Sequence, residues 1–279
     1  MVAMERPPES AAPLFARQRQ EFILEQVAQH GAVRVAEVVE ALGVSEMTVR
    51  RDITELVSRG LVDRVHGGAV ATAGAAEEPL FGTKMGQHPG EQAAIGRRAA
   101  SLVRPGDSVA LTGGTTTLAV AQALAALPHL GTLTVVTNSL PAAQLLHDEA
   151  ERARADSRPA PTVLLTGGER TRSDALVGPL AVDTLRRMRV EWAFLGAHGF
   201  DPATGLMTPN LAEGATNEAM VGAARTPVAV VDASKWGAIG LRTFCSVHDL
   251  AVLVTDEPPG PATVTAAEEH GIVLEITQE

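Results

Sequence analysis

The 279-residue sequence predicts an α/β chain in two parts: a small N-terminal unit of paired helices with a β-ribbon, then a larger domain on a mostly parallel sheet. Three observations predict it. Residues 36–70 read as helix, tight turn, helix and glycine-centred ribbon in unbroken succession. Beyond Gly90, short apolar runs alternate with helix-like stretches. Between them, residues 71–89 turn to Ala, Gly, Glu, Pro and Thr without periodicity, the composition of a linker. The expected divisions are a tail over 1–13, a small unit over 14–70, a linker over 71–89 and a large domain over 90–279.

In the small unit, Phe22, Ile23 and Val27 recur at helical spacing, predicting a bracing helix over 14–30 that ends before Gly31. Residues 33–35 are a candidate strand partner for the ribbon. Leu42-Gly43-Val44 gives a helix end with glycine at C′, and Ser45 offers an oxygen to cap the next helix. In that helix Val49, Ile53 and Leu56 form an inward stripe, while Thr48, Arg50, Arg51 and Thr54 face other directions. Residues 61–65 have strand character with Arg64 among them, and His66-Gly67-Gly68 is a turn whose bare backbone can approach a phosphate. Taken singly, these features also suit an all-α core and a solvated arginine pair. Their common order is that of a winged helix-turn-helix reading double-stranded DNA, with Ser45, Thr48, Arg50, Arg51, Arg64, His66, Gly67 and Gly68 at the contact surface. Arg supplies two parallel donors for guanine O6 and N7 or for a phosphate, and Thr reaches a base edge or a thymine methyl.

The formal net charge of −10 excludes a non-specific polybasic binder but not a local basic surface, which Arg50, Arg51, Arg59 and Arg64 provide. Glu46 and Asp52 stand close by in sequence, so tight binding is expected only on paired half-sites.

In the large domain, the runs at 109–111, 133–136, 163–165, 192–195, 228–231 and 250–254 are near-continuous, as in strands buried on both faces. Helices are expected over 118–127 and 179–187. Ligands of such sheets bind beyond the carboxyl ends of the strands. There Thr112-Gly113-Gly114-Thr115-Thr116-Thr117 leaves a strand and opens a helix, bringing bare backbone, free N–H groups, a helix dipole and hydroxyls to one place. Gly113, Gly114, Thr115, Thr116 and Thr117 are the candidate phosphate loop. With neither a G-x-x-x-x-G-K-[ST] nor a G-x-G-x-x-G pattern, a small phosphorylated metabolite fits better than a nucleotide, and no cofactor is expected. Asn138, Gly167-Gly168, His198, Asp232 and Lys235 follow other strands; alone, Asn138 reads as a cap, His198 as a loop residue and Asp232 or Lys235 as solvated. Their common edge is what suggests a polyol-phosphate site.

These residues resemble a known family. Ser45-x-x-Thr48-Val49-Arg50-Arg51-Asp52, then Leu56 and His66-Gly67-Gly68-Ala69, resembles the winged helix-turn-helix of the DeoR family of bacterial transcriptional regulators. Gly114-Thr115-Thr116, residues 136–140, Leu176-Val177-Gly178, Phe194-Leu195-Gly196, Gly205-Leu206 and Asp232-Ala233-Ser234-Lys235 resemble landmarks of its sensor domain, which is similar to ribose-5-phosphate isomerase. The resemblance implies a repressor of carbohydrate genes controlled by a sugar phosphate; a homodimer or homotetramer is expected separately, to space two reading units on a repeated site. It places Gly114, Thr115 and Thr116 at the phosphate, with Asn138, Glu213 and Lys235 nearby. This chain departs from it at Thr112, where the family often has Asp, and at Asn217, where it often has Lys. Two other readings stay open. Glu213, Asp232 and Lys235 have the acid–base chemistry of a sugar-phosphate isomerase, though catalysis leaves the first 70 residues idle. Alternatively, the large domain only oligomerises.

Cys245 stands alone, so no internal disulfide forms, and no Cys/His spacing suggests a metal site. The opening residues carry Glu and prolines rather than a basic start and an apolar core. A disordered tail in a cytoplasmic protein is expected, with neither signal peptide nor membrane span.

Overall fold

The structure is a computed structural model describing residues 16–30, 32–58, 61–65, 67–70, 81, 85 and 88–277. The expected tail, Arg59, His66 and most of the expected linker lie outside the described residues. The chain divides into two compact units, Met1–Ala76 and Glu77–Glu279.

The first unit contains α1 (Ala16–His30), β1 (Ala32–Arg34), α2 (Val35–Leu42), α3 (Glu46–Ser58), β2 (Asp63–Val65) and β3 (Gly68–Val70). The central β3 pairs antiparallel with β1 and β2, so the expected short strand does partner the ribbon, in the register Val33 to Ala69 and Arg64 to Ala69. The stripe on α3 closes the core: Val49, Ile53 and Leu56 are at most 1% exposed and pack with Ile23, Val27, Val38 and Val62. Each such side chain contributes roughly 1.5–3 kcal/mol by leaving water. The ribbon turns through Gly67 at φ 87°. Gly68 is required for another reason: a Cβ there would fall 2.0 Å from the Val33 carbonyl oxygen of the neighbouring strand.

The second unit runs α4 (Pro89–Ala100), β4 (Ser108–Leu111), α5 (Thr115–Ala125), β5 (Thr134–Thr137), α6 (Leu140–Ala155), β6 (Thr162–Leu165), β7 (Glu169–Arg170), β8 (Leu176–Val177) and α7 (Pro179–Arg186). It continues through β9 (Val190–Leu195), β10 (Gly199–Asp201), β11 (Gly205–Thr208), α8 (Leu211–Ala223), β12 (Ala224–Val230), β13 (Arg242–Cys245), β14 (Val252–Thr255), α9 (Pro261–His270) and β15 (Val273–Ile276). Seven strands form one sheet in the order β15-β14-β12-β9-β4-β5-β6, parallel at every pairing. Among the described residues of this unit, antiparallel pairing occurs in the ribbon β10-β11-β13, in the hairpin β7-β8 and at an isolated bridge between Ser139 and Ala175.

The apolar runs are continuous because both faces of the sheet are covered. Val109 and Leu111 pack with Ile95, Val120 and Leu124 on one side, and Ala110, Ala193 and Leu195 with Leu185, Phe200 and Met220 on the other. One expectation is corrected. Among the described residues β6 is an edge strand paired only with β5, and Leu164 and Leu165 are 40% and 44% exposed, so this run is not buried on both faces. β15, the strands β10, β11 and β13, and the hairpin β7-β8 were not anticipated; they are short and, as in Glu169–Arg170 and Arg242–Cys245, carry polar residues in place of an unbroken apolar run.

From β4 the chain steps outward through β5 to β6, then returns to the other side of β4 as β9 and continues outward to β15. The topological switch point therefore lies between β4 and β9, where such sheets open a crevice. Among the described residues no helix is long and apolar enough to cross a membrane.

Candidate functional site

On the first unit, the exposed face of α3 is built from its cap outward. α2 ends at Gly43, whose φ of 63° and N–H bond to the Val39 carbonyl form the expected left-handed stop. The Ser45 hydroxyl accepts from the Thr48 N–H at 3.2 Å and meets the Thr48 hydroxyl at 2.8 Å, capping α3. Arg50 lies along its own helix against Glu46, with Nη2 2.5 Å and Nε 3.0 Å from the carboxylate. The Thr54 hydroxyl donates to the Arg50 carbonyl at 2.7 Å, and Arg64 of the ribbon reaches that same hydroxyl at 3.4 Å. Arg64 is thereby drawn to the exposed Thr54 on α3.

Asp52 is not part of this surface. It is 3% exposed and turned inward, accepting from Arg19 of α1, so only Glu46 of the two anticipated acids opposes a phosphate. The pair lies 33 residues apart in sequence, beyond the reach of a local reading. Its hydrogen bond raises the Arg19 pKa further, against the opposing effect of burial. Met47, 79% exposed on α3, was not anticipated as a surface contact.

On the second unit, the switch point is bridged by Thr112. Its N–H donates to the Phe194 carbonyl, and its hydroxyl accepts from the Gly196 N–H at 3.0 Å. Gly114 follows at φ 142° as the N-cap of α5 without a side-chain cap, so the first-turn N–H groups have no acceptor from that residue. Ser139 and Asn210, by contrast, cap α6 and α8 with side-chain oxygens. Thr115 is partly exposed and Thr116 nearly buried. Thr117 departs from expectation: it is fully buried and its hydroxyl donates to the Thr112 and Gly114 carbonyls, bracing the loop from within. Gly113 is needed because a Cβ would lie 2.6 Å from the Ala175 side chain.

Ala175 belongs to the segment between β7 and β8, which gathers several candidates. The Asn138 amide donates to the Leu176 carbonyl at 3.1 Å, and Leu176 N–H returns a bond to the Asn138 carbonyl. Glu213, 7% exposed in the first turn of α8, accepts from Thr171 at 2.7 Å and also from the Ser173 hydroxyl. Between these donors, the Arg172 carbonyl accepts from the Phe81 N–H at 3.1 Å. Phe81, from the stretch expected to be linker, is 8% exposed. Thr171, Ser173 and Phe81 were missed, because nothing in a polar hairpin announces a carboxylate forty residues downstream.

Asp232 and Lys235 lie farther along the same edge, after β12. One Asp232 oxygen accepts from the Ser234 N–H at 3.1 Å and from the Ser234 hydroxyl. Among the described residues, two buried side-chain oxygens have no partner: Asn138 Oδ1 and Asp232 Oδ2. Asn217, one turn beyond Glu213, is 6% exposed, while the His198 N–H donates to the Met207 carbonyl. Cys245 is 2% exposed, and burial pushes its thiol up to about 12. It is a packed core residue.

Comparisons with known proteins cover both units. The family model described as "DeoR-like helix-turn-helix domain" matches residues 19–73, and that described as "DeoR C terminal sensor domain" matches residues 87–257. The HTH-type transcriptional regulator GlpR of Haloferax volcanii is 36% identical over 86% of this chain and 89% of its own. The glycerol-3-phosphate regulon repressor of Escherichia coli is 33% identical over 93% of this chain and 98% of its own. Ribose 5-phosphate isomerase A of Neisseria gonorrhoeae aligns at 17% identity over 53% of each chain with a TM-score of 0.35, too distant to bear on function. These sequence relatives are named as regulators and not as enzymes. With a capped recognition helix and ribbon matched in one unit and a sensor sheet matched in the other, the chain belongs to the DeoR family of DNA-binding transcriptional regulators.

Proposed function

We propose that this regulator represses carbohydrate-metabolism genes and that a phosphorylated sugar, bound at the strand ends of the second unit, controls its hold on double-stranded operator DNA. The observation that carries the reading is the uncapped N-terminus of α5 at the switch point. Its free N–H groups and dipole suit a phosphate, with Gly113, Gly114, Thr115 and Thr116 around it. Asn138, Glu213, Asp232 and Lys235 complete the proposed effector set on the sugar side. The unpartnered Asn138 and Asp232 oxygens support it, since buried acceptors ordinarily have donors and sugar hydroxyls supply them. A relative named for a glycerol-3-phosphate regulon agrees with this ligand chemistry.

In this reading, residues 14–70 read DNA and residues 90–279 bind effector and assemble the homodimer or homotetramer that spaces two reading units. Arg50, Arg51, Arg64 and Gly67 are exposed and face the duplex, whereas Gly68, expected there from the sequence, is buried against β1. The β7-β8 hairpin joins the two functions: Thr171 and Ser173 hold Glu213 of the effector set, and Arg172 holds Phe81, upstream of which the chain leads to the ribbon. A ligand that rearranges Glu213 pulls on the hairpin. By linkage it weakens DNA binding only as far as DNA weakens its own.

Thermal unfolding of the full chain against sugar phosphates, each paired with its parent sugar, tests the reading. At a hundred times the dissociation constant a ligand adds about 2.7 kcal/mol. Stabilisation by one phosphate and not by its parent sugar, with release of DNA by the same compound, is the expected result; stabilisation by none leaves a domain that only oligomerises.

A further inference from the structure

The groups on the outer face of α3 are unequally available. Ser45 and Thr48 bond to one another as a cap, Arg50 is held by Glu46, and the Thr54 hydroxyl is engaged by the Arg50 carbonyl and by Arg64. Two side chains remain. Met47 is 79% exposed, and Arg51 is exposed with no hydrogen bond or ion pair among the described residues. They stand four residues apart, one above the other on the same face, with Thr54 a further turn along and the buried stripe of Val49, Ile53 and Leu56 behind.

A lone exposed methionine ordinarily calls for no explanation. This one lies in the first turn of a recognition helix, the part of such helices that meets base edges, ahead of two arginines. Its long, unbranched, polarisable side chain adapts to apolar surface. In the major groove the apolar feature of a base edge is the thymine C5-methyl, whereas O6 and N7 of guanine match the two parallel donors of Arg.

We infer that Met47 and Arg51 are the base-reading pair, Met47 packing on a thymine methyl and Arg51 bonding a guanine, while Ser45, Thr48 and Arg50 hold the helix and the backbone phosphates. Sequence preference thus rests on an apolar contact that the hydroxyl and guanidinium pattern of this helix does not advertise. Replacing Met47 alters which base is preferred at one position and leaves the electrostatic, salt-dependent part of binding in place. Because both side chains are exposed, either is replaced without disturbing the core of the first unit.

The test starts from duplexes enriched out of a random-sequence pool by the full-length protein. In the enriched site each thymine is exchanged in turn for deoxyuridine, which removes only the methyl, and each guanine for 7-deazaguanine, which removes only the N7 acceptor. Wild-type protein is expected to lose about four-fold in affinity at one thymine, the weight of a single buried methyl group, and about ten-fold at one guanine. In Met47→Ala the thymine effect falls below two-fold while the guanine effect persists; in Arg51→Ala the pattern reverses. Enrichment of a sequence whose thymine sensitivity is the same in wild type and Met47→Ala, or whose guanine sensitivity survives in Arg51→Ala, overturns the assignment of that residue. Failure to enrich any sequence overturns DNA reading by this surface altogether.

Discussion

The Arg19 guanidinium clasps the Asp52 carboxylate with both ends, Nε to Oδ2 at 2.7 Å and Nη2 to Oδ1 at 3.2 Å, and so ties α1 to the recognition helix from behind. The side chains are 14% and 5% exposed, so solvent screens the pair little. Asp52→Ala leaves a nearly enclosed guanidinium without this partner. The first unit is expected to lose about 2 to 3 kcal/mol, measured by denaturant unfolding, and DNA binding should weaken although residue 52 never faces the duplex.

Gly68→Ala is expected to disable the first unit selectively. The added Cβ falls 2.0 Å from a strand carbonyl, a clash relieved only by parting β1 from β3, at a cost on the order of 3 kcal/mol. Operator binding should vanish in a mobility-shift assay while effector-induced stabilisation persists. An unchanged operator affinity would mean that the ribbon plays no part in recognition.

Thr116 and Thr117 are adjacent but should respond differently. Thr117→Ala removes the hydroxyl that braces the loop and should lower the stability of the second unit by roughly 1 kcal/mol even without ligand. Thr116→Ala should spare stability and DNA affinity yet raise the sugar-phosphate concentration needed to release DNA. Release at the wild-type concentration in Thr116→Ala would remove this hydroxyl from the phosphate site.

Ser173→Ala withdraws one of the hydroxyls bonded to Glu213. DNA affinity in the absence of effector should be unchanged, and the effector dose that releases DNA should shift several-fold, as fluorescence anisotropy on labelled operator would report. No shift would disconnect the hairpin from signalling.

Cys245 predicts a pH effect. Its thiol stays protonated in the native protein up to about 12, whereas the unfolded chain ionises it from about 9.0. Between those values the unfolded state binds fewer protons, so stability falls as pH rises, at no more than about 1.4 kcal/mol per pH unit from this group. Cys245→Ser should flatten that part of the stability profile, and the native thiol should resist alkylation at pH 8.

Local chemistry is what made the first unit legible. Gly43, Ser45 and the stripe of Val49, Ile53 and Leu56 act within a few turns of chain, so spacing alone specified the helix pair and its buried side. Parallel strands were legible because two-sided burial leaves continuous apolar runs. Leu164 and Leu165 show the limit of that rule: an apolar run does not say what covers it, and theirs lies at the sheet edge. The loop after β4 was likewise visible, but the inward turn of the Thr117 hydroxyl depended on three-dimensional bonds to Thr112 and Gly114. Asp52 with Arg19, and Glu213 with Thr171 and Ser173, unite residues 33 to 42 positions apart, and no periodicity encodes such pairings.

The bond from the Phe81 N–H to the Arg172 carbonyl is made entirely by main chain. The bond itself does not depend on which side chain stands at either end, since every residue but one brings the same donor to position 81. Proline is the exception, lacking an N–H. A joint of this kind leaves no signature in the amino acids that form it, and Phe81→Pro is the single substitution at position 81 that deletes its donor.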